Sequence, residues 1–129
     1  MTYKDIKEEC DAIQIELETL IPEDVNSVVE RAKSLAVYMS RTGYLLAEAK
    51  KLVRSKKSAE ICEVVVKIAK EGYMSAKAQN ALVDSIAADE MYLADSLERL
   101  NRSCVHTIDL CRSIISKEKE EMRYLHLQK

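Results

Sequence analysis

Between Tyr73 and Lys129 no glycine or proline interrupts the chain, and apolar side chains return every three or four positions: Leu82, Ile86, Leu93, Leu97, Leu100, Cys104, Ile108, Cys111 and Ile115. That spacing belongs to a helix rather than a strand. At 1.5 Å per residue, roughly fifty helical residues reach about 75 Å, whereas a compact chain of this length has a radius of gyration of about 14 Å. The pattern therefore predicts a helix that either bends or lays its apolar seam on a partner. Leu93, Leu97, Leu100, Cys104, Ile108, Cys111 and Ile115 are the side chains expected at such an oligomer interface.

Upstream, Thr2 is placed to cap a first helix whose apolar face reads Ile6, Cys10, Ile13, Leu17 and Leu20, with Pro22 closing it or opening the next. Asp24 or Asn26 can open a second helix, with Val25, Val28, Val29, Ala32, Leu35, Ala36, Met39, Leu46, Ala49 and Val53 facing inward. Gly43 within it would let another helix approach closely. This helix is expected to end around residues 54–58. A third helix follows over Ser58–Glu71. The run Val64-Val65-Val66 would suit a strand, but Ile61, Val65 and Ile68 keep helical spacing and Gly72 supplies a stop. Ser75 then caps the last helix, which is expected to bend near Asn101-Arg102, where the seam is least apolar.

Two glycines and one proline in 129 residues leave too few breakers for a turn-rich β fold, and the abundance of Ala, Leu, Glu and Lys favours helix. An all-α helical bundle with a long C-terminal helix, forming one domain over residues 1–129, is the expected architecture. Phe and Trp are absent, so six tyrosines are the only large rings, and the core has to be aliphatic. Such side chains suit helix seams better than a deep ligand pocket.

The net charge of −2 conceals an asymmetry. Residues 1–30 carry nine acids against Lys4 and Lys7, a local charge of −7, so residues 31–129 carry +5. An acidic first helix thus precedes a basic body. The four cysteines form no Cys-x-x-Cys pair, and neither a signal core nor a membrane-length apolar run occurs. A cytoplasmic protein with reduced thiols is expected.

The densest charge feature is Lys50-Lys51-Leu52-Val53-Arg54-Ser55-Lys56-Lys57, with Arg41 and Tyr44 upstream on the same helix. Five cations in eight residues can simply favour the carboxyl end of a helix dipole. They can equally gather phosphates, since Lys and Arg gain affinity by releasing counterions from a nucleic-acid backbone. A nearby tyrosine can stack on an unpaired base, although Tyr38 and Tyr92 are expected in the core. Catalysis has less to work with. His106 and Asp109 share a helix face but lack the further ligands of a metal site. Glu60 and Glu63 match half of the acidic signature of all-α nucleotide pyrophosphohydrolases, where paired carboxylates hold magnesium, without its second half. No glycine-rich phosphate loop exists, so neither a cofactor nor an enzyme is expected.

The stretch Ala88-Asp89-Glu90-Met91-Tyr92-Leu93, followed by Leu110-Cys111 and a charged helical tail ending in Met122-Arg123, resembles the phage recombination mediators of the UvsY type. The helical run from Leu35 to Arg54, with its basic end, is similar in style. The likeness covers the last forty residues and a looser middle. It implies a small helical homo-oligomer on single-stranded DNA that helps to load a recombinase without catalysing a reaction. It further implies that Lys50, Lys51, Arg54, Lys56 and Lys57 face the DNA and that the last helix joins the subunits. Two other readings stand beside it. One is an adaptor, or inhibitor of a host factor, acting through the acidic first helix. The other, more remote, is a magnesium-dependent nucleotide hydrolase.

Overall fold

Capping and periodicity together produce four helices in the computed structural model, which describes residues 1–19, 21–72 and 74–127. They are α1 (Tyr3–Leu17), α2 (Val25–Glu71), α3 (Ala76–Ser85) and α4 (Ala88–Leu127), and no strand occurs among the described residues. The all-α expectation and the long C-terminal helix are both realised. No helix of the described residues is long and apolar enough to cross a membrane.

Three helix starts follow directly from local side chains. Thr2 Oγ1 accepts the Asp5 N–H at 3.2 Å while the Asp5 carboxylate accepts the Thr2 N–H at 3.2 Å, a reciprocal capping box. These bonds stabilise the ionised Asp5 and hold its carboxyl below the usual range. Asp24 caps α2 by accepting from the Ser27 N–H at 3.1 Å, and Ser75 caps α3 by accepting from the Ala78 N–H at 3.2 Å. Gly72, at φ +77°, ends α2 in a conformation a side chain rarely adopts.

Two expectations fail. α2 does not end at residues 54–58; it runs for 47 residues, about 70 Å, and absorbs the segment 58–71 read as a separate helix. The polar run Ser55-Lys56-Lys57-Ser58 looks like a loop in isolation. Lys56 and Lys57, however, bind Glu90 at 3.1 Å and Asp84 at 3.3 Å across the fold, and good helix formers surround them. The last helix, conversely, does not bend at Asn101. It breaks earlier, at Ile86-Ala87, into α3 and α4. There the Ser85 hydroxyl donates to the Leu82 carbonyl at 2.7 Å, offering the backbone another partner, and the fully buried Ala87 is small enough to close the corner.

α2 and α4 lie antiparallel. Lys56 pairs with Glu90 near the corner, Asn101 meets Met39 and Thr42 midway, and Val28 packs with Cys111 at the open end. Along α2 the buried residues Val28, Leu35, Thr42 and Ala49 repeat every seven positions, the spacing of a coiled-coil seam. α1 covers one side of this hairpin, joining Ile6, Cys10 and Ile13 to Leu45, Ala49, Leu93, Ala94, Leu97 and Leu100. A second cluster joins Val28 and Leu35 to Cys104 and Cys111. Between the clusters sits a polar layer, in which Asn101 Nδ2 donates to the Met39 carbonyl at 2.8 Å and to Thr42 Oγ1 at 3.0 Å. A slip of either helix would strand these groups, so the layer fixes the register.

The seam read as an oligomer interface is therefore covered within the chain. Leu93, Leu97, Leu100, Cys104 and Cys111 are buried, and Ile108 and Ile115 are half-buried. The reason is the antiparallel return of α4 along the first half of α2: Val28, Leu35, Leu45 and Ala49, together with Ile6, Cys10 and Ile13 of α1, supply the partner surface.

Candidate nucleic-acid interface

Residues 31–58 carry eight Lys or Arg side chains and a single acid, Glu48. The fold divides those cations into two groups. Arg41 lies against α1, its guanidinium forming a two-pronged contact with the Glu9 carboxylate, with Nη2 to Oε2 at 2.8 Å. The same guanidinium stands 5.1 Å from the centre of the Tyr44 ring. The Arg41 hydrogen bonds hold the Glu9 carboxyl below its ordinary value and raise Arg41 in turn. Lys56 is likewise raised by its bond to Glu90. Arg31 donates to the Glu16 and Thr19 carbonyls at 2.7 and 3.2 Å, securing the end of α1, and Lys33 pairs with Glu30 at 3.3 Å.

Of the seven residues expected on a nucleic-acid surface, Arg41, Lys56 and Lys57 are thus engaged in ion pairs that hold elements together. Lys50, Lys51 and Arg54 are exposed and form no ion pair among the described residues. Lys51 and Arg54 continue a line from Tyr44 through Ala47, at steps of three and four along the outward face of α2. Tyr44 is half exposed at the upstream end of this line. Lys50 and Arg54 also border a shallow groove of about 230 Å³ toward α4, shared with Val53, Met91, Ala94 and Asp95. The partners that engage the other cations lie 27 to 34 residues away in sequence, so no local signal separates the engaged cations from the open ones.

The acidic first helix is less open than its composition implies. Glu9 holds Arg41, Asp5 serves the cap, Lys7 pairs with Asp11 at 3.1 Å and Lys4 with Glu8 at 3.9 Å. With Ile6, Cys10 and Ile13 in the core, α1 is a structural member of the bundle.

Among the described residues no group of three or more His, Cys, Asp or Glu is placed to hold a metal ion. His106 is exposed, and Glu60 and Glu63 join no such group. Tyr38 is half-buried as expected, but Tyr92 is 72% exposed, because it points outward from α4 beside the α1 seam instead of into the hairpin. Cys10, Cys104 and Cys111 are buried and Cys62 is exposed. Burial pushes the Cys10 and Cys104 thiols up, away from the reactive thiolate.

These features define a helical bundle built on a long antiparallel hairpin, with one outward face rich in cations and poor in acids. Neither protein-family models, curated proteins nor solved structures give a match to the chain.

Proposed function

We propose that the outward face of α2 binds the backbone of single-stranded DNA and that the protein acts as a non-catalytic helical accessory to recombination or replication, working beside a recombinase or a similar DNA-processing protein. The observation that carries this reading is the open cluster Lys50, Lys51 and Arg54 on a stretch of α2 whose only acid is Glu48. Tyr44, on the same face, offers a ring for an unpaired base.

Only three of the expected cations remain open, so the electrostatic contribution is correspondingly modest. Each phosphate neutralised on a single strand contributes roughly 0.7 to the slope of log affinity against log salt, which gives about −2 per subunit. Fluorescence anisotropy of a labelled oligonucleotide across a salt series measures this slope. Replacing Lys50, Lys51 and Arg54 together by Ala is expected to flatten it toward zero while the helical signal persists. Absence of binding by the intact protein at low salt would refute the reading.

A further inference from the structure

α4 outlasts its partner. Its apolar seam runs Cys104, Ile108, Cys111, Ile115 and then, at the same alternating steps of three and four, to Met122 and Leu125 with Glu118 between. Cys111 already packs against Val28, close to the start of α2, and from Lys119 to Leu127 every residue is exposed. Met122, Tyr124 and Leu125 are 62 to 66% exposed. The twelve residues from Ser116, all exposed except the partly buried Glu118, form a helical arm about 18 Å long.

The same molecule holds an apolar groove of about 510 Å³ between α1 and α2, floored by Ala12, Ile13, Val37 and Tyr38 and edged by Glu16 and the Glu9–Arg41 pair. Val37 stands 66% exposed along it. The groove opens toward the end of the bundle from which the arm leaves, because Leu17, next to Glu16, packs in the same cluster as Ile114 and Ile115. Continuous helix prevents the arm from folding back into its own groove. We propose that the arm of α4 seats in the α1–α2 groove of a second copy of this chain, and that the exchange is reciprocal about a two-fold axis.

Three arguments select this occupant. One charge pair is available to the contact: Lys119 on the arm and Glu16 at the groove form no ion pair among the described residues of their own chain, in an arm whose Lys117, Lys119 and Arg123 balance Glu118, Glu120 and Glu121. Pairing of two arms with each other is the poorer arrangement, since a parallel pair brings Glu118 against Glu118 at a core position and an antiparallel pair brings Lys119 against Lys119 along its flank. Area then requires reciprocity. A helix about 18 Å long and 10 Å wide has a footprint of roughly 180 Å², about 360 Å² counting both surfaces, and a two-fold axis doubles this to roughly 720 Å², below the ~1,200–2,000 Å² of a stable interface and in keeping with a weak dimer. The inference is independent of DNA binding.

Sedimentation equilibrium of the full chain over roughly 1–100 µM tests it. A monomer–dimer equilibrium is expected, weakened at least tenfold both by Met122→Glu with Leu125→Glu on the arm and by Val37→Glu in the groove. All three side chains are exposed, so the melting of the monomer should be unchanged. In a Cys62→Ser background, a Leu125→Cys copy mixed with a Val37→Cys copy should form a disulfide between the two, and neither should do so alone. A monomer throughout the concentration range, a dimer indifferent to either set of changes, or a cross-link within one variant alone would overturn the proposal.

Discussion

Two glycines, twenty-nine residues apart, are expected to respond oppositely to the same substitution. Gly43 lies inside α2 without a positive φ, and a Cβ there would come no closer than 3.8 Å to Asn101 Nδ2, an ordinary contact. The close helix approach that a mid-helix glycine suggests is absent at this position. Gly43→Ala should therefore stabilise the bundle by about 0.5–1 kcal/mol, the usual helix penalty of glycine, raising the melting temperature by about 2–4 °C. Gly72 has open space around it but φ +77°. Gly72→Ala should cost about 1–2 kcal/mol for backbone reasons alone. Thermal melts of the two variants beside the parent separate steric room from backbone strain. The thiols give a second residue-scale contrast. An exposed Cys62 and three buried cysteines predict a rapid burst of one thiol per folded chain with a maleimide, and four in denaturant. A burst of two or more would place one of the buried thiols at the surface.

At the scale of the helix, the α1–α2 clasp depends on pH in a defined direction. Glu9 has its carboxyl held below the ordinary value of 4.5 by Arg41. A carboxyl depressed in the folded state contributes stability that is present above the unfolded value and lost as pH falls through the folded one. Glu9→Gln should therefore lower the urea midpoint at pH 7 and approach the parent near pH 3. A constant difference at both pH values would exclude the ion pair as its source. The α4 seam permits a sharper comparison: Leu97 is fully buried whereas Tyr92, five residues earlier, is 72% exposed. Leu97→Asp buries a carboxylate and should abolish the cooperative helical melt, while Tyr92→Asp should leave it nearly intact. How far such features can be read from sequence depends on their range. Caps at Thr2, Asp24 and Ser75 and the stop at Gly72 are legible because each acts within a few residues. The continuity of α2 is not, because residues 55–58 read as polar punctuation until Asp84 and Glu90 arrive to pair with Lys57 and Lys56. The basic cluster was legible for the same local reason, and its reduction to Lys50, Lys51 and Arg54 was not.

Across the whole molecule, the antiparallel arrangement orders its contacts by distance along the chain. Lys56 and Glu90 are separated by 34 residues, Met39 and Asn101 by 62, and Val28 and Cys111 lie farther apart still. Closing a loop costs more entropy as it lengthens, so among the α2–α4 contacts those at the corner are the cheapest to form first and the Val28–Cys111 end is the last to join. A folding nucleus at the corner has a kinetic signature. Ala87→Gly or Glu90→Gln should slow refolding, giving φ-values well above those of the far end. Val28→Ala and Cys111→Ala should instead act mainly by speeding unfolding. Stopped-flow chevrons of the four variants distinguish a chain that zips from its corner from one that collapses everywhere at once, for which the four φ-values would be alike.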